Sequence, residues 1–141
     1  MNMPLFRKLD CLRLPVSDLE AGLRFYRDAL GHELNWRSET SAGLRLPESD
    51  AELVIHTEGH PPETDLLVDS AIGAAERIVE AGGKLLVGPF EGQVGMVAVV
   101  ADPWGNTLVL LDLSKGLLVT DGDGRVTGNK ASRGANGSEA E

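Results

Sequence analysis

The sequence predicts an α+β fold built from two similar modules in one domain, followed by a tail. An internal repeat carries this prediction: residues 12–31 (LRLPVSDLEAGLRFYRDALG) and 66–83 (LLVDSAIGAAERIVEAGG) share one layout. Each has an apolar strand, an acidic helix start, an amphipathic helix and a terminal glycine. Two copies are too few for a solenoid. A chain of 141 residues, 42% hydrophobic and 25% charged, is typical of one globular domain.

Module one is expected over residues 6–58. Lys8–Pro15 alternates with period two, as a strand does. Ser17 and Glu20 form a capping-box pattern, and a helix follows that ends at Gly31. Strands are then expected over residues 32–37, 43–46 and 52–57. The apolar residues of this helix recur at helical spacing and are expected in the core: Leu19, Leu23, Phe25, Tyr26, Ala29 and Leu30.

The second module is expected over residues 65–115, after a proline-containing linker at 59–64. It repeats the plan with a strand at 65–68, a helix at 70–81 and strands at 84–87, 96–101 and 107–113. A turn at 102–106 (DPWGN) precedes the last strand, and Trp104 is expected to pack there. The tail covers residues 116–141. Residues 117–128 suit a weak hairpin, whereas 129–141 are too polar to order themselves.

Charge and composition exclude several classes of function. A net charge of −9 and a pI near 4.7 argue against nucleic acid and anionic membranes. No apolar run approaches the length of a spanning helix, and the N-terminus lacks the apolar region of a signal peptide. A single cysteine fits a reducing cytoplasm. Nucleophile-elbow and phosphate-loop motifs are missing from the sequence.

Three stretches in this order resemble the vicinal oxygen chelate superfamily, which includes glyoxalase I, extradiol dioxygenases and bleomycin-resistance proteins. They are VSDLEAGLRFYRDALG, AERIVEAGG and VVADPWGNTLVLLDLSKG. The resemblance covers about residues 8–115. It implies two βαβββ modules whose curved mixed sheets surround a central cavity, and it implies a homodimer. The cavity is the expected site for a small organic molecule.

Catalytic members similar to this chain hold a divalent metal at four positions. The corresponding residues here are Cys11, His56, Glu63 and Val109. Valine cannot bind a metal, and a thiol is a softer ligand than the expected imidazole. The alternatives are a buried apolar role for Cys11, a hydrogen-bonded His56 lining the cavity, and a solvated linker carboxylate at Glu63. Asp65 lies on the same strand face as Glu63 and is a substitute for it.

Strand alternation adds further candidates for ligand binding. Arg13 shares the face of Cys11, and Glu58 shares the face of His56. The guanidinium either clamps a ligand carboxylate or phosphate, or it forms an internal ion pair with Glu58, Glu63 or Asp65. Trp36 either stacks on a flat ligand or belongs to the core or a dimer interface. The expected ligand-binding residues are thus Arg13, Trp36, Glu58, Asp65 and Val109.

Three functions remain open. The first is a small-molecule binder without a metal, similar to bleomycin-resistance proteins, or a metal-free catalyst with His56 or Glu63 as general base. The alternative is a glyoxalase-like lyase or isomerase, or a dioxygenase, in which Cys11, His56 and Glu63 hold zinc, nickel, iron or manganese. The third is a protein-binding module that uses a concave sheet, a use that the cavity plan favours least.

Overall fold

The computed structural model describes residues 3–130 and has the predicted α+β fold. Its first half contains β1 (Lys8–Pro15), α1 (Leu19–Leu23, continued in π-helical form over Arg24–Ala29), β2 (Leu34–Arg37), β3 (Ser41–Arg45) and β4 (Glu52–His56). Its second half contains β5 (Glu63–Leu67), α2 (Ala71–Glu80), β6 (Lys84–Glu91), β7 (Met96–Ala101), β8 (Thr107–Leu111), β9 (Leu117–Thr120) and β10 (Val126–Lys130).

These elements divide into two units. The first unit comprises residues 10–64 and 119–128, and the second comprises the described parts of 1–9, 65–118 and 129–141. The predicted hairpin is confirmed as β9 and β10. The rest of the expected tail, from residue 131, lies outside the described residues. Within the described chain, neither helix is long and apolar enough to cross a membrane.

The first unit is a mixed sheet with α1 on one face. Its strand order is β2-β3-β4-β1, with β1 parallel to β4 and β3 antiparallel to both of its neighbours. Alternate side chains of these strands face α1 and form an apolar core. The buried members of that core are Leu19, Leu23, Ala42, Leu44, Leu53 and Ile55. The opposite face of the sheet is therefore not required for packing against the helix.

Helix α1 differs from its prediction at both ends. Its N-cap is Asp18, whose carboxylate accepts the N–H of Ala21 at 2.8 Å, and not Ser17. After Leu23 the helix widens, and the N–H of Leu30 donates to Phe25 O at 3.0 Å, five residues back. This widening shifts the apolar stripe, so the core prediction for Phe25 and Leu30 is wrong. Their exposed fractions are 55% and 54%, whereas Tyr26 packs against the core.

The second unit has the strand order β5-β8-β7-β6, with β5 parallel to β8. Helix α2 is regular and begins at Ala71, one residue after the predicted start, because Ser70 is its N-cap and accepts the N–H of Gly73 at 3.1 Å. Small side chains let this helix approach the sheet closely. The buried core contains Val68, Ala71, Ala74, Ala75, Ala98, Val100 and Leu110.

Strands β5 and β6 do not keep their predicted bounds of 65–68 and 84–87. Strand β6 extends to Glu91 and includes Pro89, which is tolerated because β6 lies at the edge of the sheet. The linker ends early, so Glu63 is the first residue of β5 rather than a linker residue.

Trp104 does not pack as expected. The turn is held by Asp102, whose carboxylate accepts the N–H groups of Trp104 and Asn106, each at 2.9 Å. These bonds fix the backbone and leave the indole in solvent with an exposed fraction of 83%. The packing prediction for Trp104 is therefore wrong.

Candidate functional site

The candidate site lies on the face of the first unit's sheet that points away from α1. We call it the polar face and define it as Arg13, Trp36, Ser41, Glu52 and His56, with Glu58 and Glu63 beside it. Strand register explains the grouping: Arg13 is opposite Val54, Pro15 is opposite His56, and Ser41 is opposite His56 on the other side. The residues that alternate with them along β4, Leu53 and Ile55, point into the apolar core.

His56 is the most deeply buried polar residue of this face, with no exposed surface. Its Nδ1 accepts the backbone N–H of Glu58 at 3.2 Å. Burial, aided by the charge of Arg13, lowers the pKa of the imidazole, so the ring is neutral at pH 7. An accepting Nδ1 carries no proton, so the proton is on Nε2.

The Nε2–H group of His56 is buried and has no hydrogen-bond partner in residues 3–130. A buried donor without an acceptor costs about 1–3 kcal/mol. Such a cost is tolerated where a ligand supplies the missing acceptor. The polar face thus contains a neutral, buried N–H donor that lacks an acceptor within residues 3–130.

Arg13 forms the internal ion pairs that were one of its two expected roles. Its Nη2 lies 3.0 Å from Glu58 Oε1, and its Nε lies 3.7 Å from Glu63 Oε2. Thr40 donates to the other Glu58 oxygen at 2.9 Å. The Arg13 side chain is only 16% exposed, so solvent screens these pairs weakly. His60 Nε2 lies 3.7 Å from Glu58 Oε1 and borders the group.

Trp36 is buried and anchored rather than open. Its indole N–H donates to Glu52 Oε1 at 2.9 Å, and the Asn35 amide donates to Glu52 Oε2 at 2.8 Å. An irregularity in the β2–β3 pairing before Trp36 lets these neighbouring residues reach the same carboxylate. The indole lies over Gly43, where a Cβ would overlap it.

The residues present do not fit a metal ion bound as the resemblance implies. Cys11 is opposite Glu52, four residues before the position opposite His56, which is about 13 Å along the strand. Cys11 is buried, in keeping with its expected apolar role. Within residues 3–130, no three His, Cys, Asp or Glu side chains form a group able to hold a metal. Of the expected ligands, His56 and Glu63 both lie near Arg13, and Cys11 does not join them.

The other two expected residues, Asp65 and Val109, lie in the second unit. They are directly opposite each other on β5 and β8, and both are buried. Val109 is part of an apolar surface and supplies no donor. Asp65 supplies a buried carboxylate opposite Val109.

Sequence reasoning missed several residues of this region. Glu52 has the same parity as His56 on β4, so strand alternation was a signal from which Glu52 could have been found. Thr40, Asn35 and Gly43 gave no comparable signal, because their roles depend on tertiary contacts. Asp112 was also missed. It is buried in the second unit and accepts the N–H groups of Ala71 and Met96, each at 2.8 Å.

Comparison with known proteins supports the fold. Residues 8–110 match the family model described as the glyoxalase/bleomycin resistance protein/dioxygenase superfamily. No curated protein matches the chain.

Solved structures share the architecture at low identity. A methylmalonyl-CoA epimerase from Mycobacterium tuberculosis is 19% identical with a TM-score of 0.61, over 79% of this chain and 91% of that one. A second methylmalonyl-CoA epimerase is 15% identical with a TM-score of 0.64, over 79% and 98%. Homoprotocatechuate 2,3-dioxygenase from Brevibacterium fuscum is 23% identical with a TM-score of 0.58, over 78% and 37%. At these identities the likeness concerns the fold alone.

Proposed function

The chain belongs to the glyoxalase/bleomycin resistance protein/dioxygenase superfamily, and from this premise we propose that it binds a small organic molecule without a metal ion. The polar face of the first unit is the proposed binding site. The observation that carries the proposal is the buried Nε2–H of His56, which has no acceptor in the described chain. A ligand oxygen is the natural complement of this donor.

Charge narrows the class of ligand. Glu52, Glu58 and Glu63 outnumber Arg13, and His56 is neutral, so the proposed site carries a net negative charge. An anionic head group is therefore disfavoured. The best match is a neutral polar head that offers an acceptor oxygen to His56 and donors to the carboxylates, as an amide does.

Three probes with one ring test this order: benzamide, benzylamine and benzoate. We expect benzamide to bind best and benzoate worst. The signal is the fluorescence of Trp36, recorded in a Trp104→Phe protein so that the exposed second tryptophan does not contribute. His56→Leu should abolish the response because it removes the N–H donor, and the matched control His32→Leu should keep it, because His32 contacts Arg45 O outside the site. No response to any probe, or an equal response in His56→Leu, would overturn the proposal.

A catalytic version of the proposal uses the same residues. His56 and Glu63 are the proposed proton-transfer pair, and the favouring observation is that both lie near Arg13 on one face. Because its proton is on Nε2, His56 would act as the donor, and Glu63 would act as the base. Exchange of the α-hydrogen of a carbonyl ligand with deuterium, lost in Glu63→Gln, would support this version. The metal-dependent alternative with Cys11 is not favoured by the positions of these donors.

We also propose that the chain forms a homodimer through β6. This strand is exposed along its whole length, including Leu85 and Phe90. A second copy placed antiparallel about the middle of β6 brings Lys84 opposite Glu91 and Leu85 opposite Phe90, which matches both charge and apolarity. Lys84→Glu and Glu91→Lys should each weaken the dimer in sedimentation experiments, and the double variant should restore it. A monomeric wild type would overturn this proposal.

The proposed cellular location is the cytoplasm, in view of the single cysteine.

A further inference from the structure

Arg13 stands among the side chains that a divalent cation would use in this region. Glu58 and Glu63 both direct a carboxylate oxygen at its guanidinium, at 3.0 and 3.7 Å. His56, which occupies one of the expected metal positions, lies on the adjacent strand, where its partner Pro15 is two residues from Arg13 on the same face. Two carboxylates and an imidazole thus surround one cationic side chain.

The guanidinium of Arg13 supplies positive charge to the carboxylates of Glu58 and Glu63. It cannot lose its proton in a protein, so it is a permanent positive charge. One such charge offsets part of the charge of the two carboxylates, and a divalent ion at the same place would meet direct repulsion. The Thr40 hydroxyl holds the second oxygen of Glu58, so neither of that residue's oxygens is available.

The hydrogen bonding and protonation of the His56 imidazole also disfavour a metal ion at this place. Its Nδ1 lone pair is used by the N–H of Glu58. Its Nε2 carries the proton and therefore has no lone pair to give. A metal at His56 would require a change of tautomer and the loss of a backbone hydrogen bond.

We propose that the guanidinium of Arg13 takes the place of a divalent cation, and that removal of its charge converts the group into a metal-binding site. The donors of the new site would be Glu58, Glu63 and His56, after movement of the two flexible glutamate side chains and a change of the His56 tautomer that releases the Glu58 N–H. The inference concerns the residues of the proposed ligand site but does not rest on ligand binding, because its readout is metal affinity.

The test compares Co²⁺ and Zn²⁺ binding to the wild type and to Arg13→Met, which keeps an unbranched side chain without the charge. Titration calorimetry and the visible absorption of Co²⁺ give the affinity and the ligand environment. We expect Arg13→Met to bind at least about 100-fold more tightly than the wild type. Arg45→Met is the matched control, since it removes one arginine from β3 that pairs with the exposed Glu33 instead. It should show no gain.

The double variant Arg13→Met/Glu63→Gln should lose the gain, which assigns Glu63 as a donor, whereas Arg45→Met has the same net charge as Arg13→Met and therefore separates this group from a general charge effect. A folded Arg13→Met protein with wild-type affinity would overturn the proposal. One equivalent of tightly bound metal in the wild type would also overturn it. If Arg13→Met does not fold, Arg13→Gln carries the same expectation, and circular dichroism identifies a folded variant. Failure of the benzamide experiment leaves this test unaffected.

Discussion

The two units share a strand–helix–strand layout but differ on the sheet face that points away from the helix. In the first unit this side of the sheet is the polar face, with Arg13 and His56 at its centre. In the second unit alternation places Val99, Val109 and Leu111 there, with Asp65 as the carboxylate. Because each helix needs only one apolar face to pack against, the other face is free to vary. The proposed chemistry is accordingly concentrated in one of two similar units.

The buried polar groups of the two units also have different partners. Asp112 of the second unit accepts hydrogen bonds from Ala71, Met96 and Ser114, so its carboxylate is fully used. His56 of the first unit keeps a buried N–H for which residues 3–130 supply no acceptor. A buried carboxylate with all of its hydrogen bonds, such as that of Asp112, stabilises the fold. A buried donor without an acceptor, such as the His56 N–H, is a group that a ligand can satisfy.

The largest expected effect is on the second unit. Asp112→Ala should lower the free energy of unfolding by about 3 kcal/mol, because it leaves the buried N–H groups of Ala71 and Met96 without an acceptor. Asp121→Ala is the control. Its carboxylate also accepts two backbone N–H groups, but in an exposed turn, and the expected loss is below about 1 kcal/mol. Urea unfolding measures both, and equal losses would contradict the structural role of Asp112.

The next effect concerns the first unit. Gly43→Ala should destabilise the protein by about 2 kcal/mol, because the added Cβ overlaps the Trp36 indole and forces it away from Glu52. The fluorescence maximum of Trp36 should shift to the red as the ring becomes solvated. Gly128→Ala on β10 is the control, since no atom lies near its added Cβ. An unchanged spectrum in Gly43→Ala would show that the indole is held differently.

Acid should destabilise the two units in separate pH windows. Burial, aided by the charge of Arg13, lowers the pKa of His56, so its contribution falls as pH drops below the unfolded value of about 6.5. For Asp112, burial raises the pKa, but hydrogen bonds from Ala71, Ser114 and Met96 outweigh this and lower it. Its contribution is full above about pH 4 and is lost as pH falls through the lowered folded pKa.

Unfolding free energies measured from pH 8 to pH 2 test these two windows. His56→Gln should remove the loss near pH 6, and Asp112→Asn should reduce the loss below pH 4. A single acid transition in the wild type that neither variant changes would contradict the assignment.

The smallest effect separates the two tryptophans. Trp104→Phe should change the free energy of unfolding by less than about 0.5 kcal/mol, because the indole lies in solvent. Trp36→Phe should cost about 1–2 kcal/mol through loss of the bond to Glu52. Comparable losses for both variants would mean that Trp104 has a packing partner after all.

Local signals in the sequence identified most of the elements. The terminal glycines at 31 and 82 and the spans of β1 and β7 are confirmed, because positive φ and apolar alternation act over a few residues. The π-helical widening after Leu23 was not predicted, and for this reason Phe25 was wrongly expected in the core. Nothing in the local sequence distinguishes a helix with one wider turn from a regular one.

Strand parity placed Arg13 on the face of Cys11 and Glu58 on the face of His56, and an internal ion pair of Arg13 with Glu58, Glu63 or Asp65 was one of the two expected alternatives. The choice between that ion pair and a ligand clamp depends on distances that periodicity does not contain. The resemblance grouped Cys11 with His56, whereas the register between β1 and β4 puts Cys11 opposite Glu52, four residues before the position opposite His56. Register is a property of the folded sheet and not of either strand alone.

The outer strands of the two sheets have different environments. On β2 of the first unit, the N–H of Arg37 donates to Gly124 O of the hairpin loop at 2.7 Å. Strand β6 of the second unit has no strand on its outer side within residues 3–130. An edge that is already occupied cannot template another chain. In the proposed dimer β6 of each copy would be covered by the other copy, and the loop at Gly124 already occupies part of the β2 edge, so neither edge would be left fully open to a further chain.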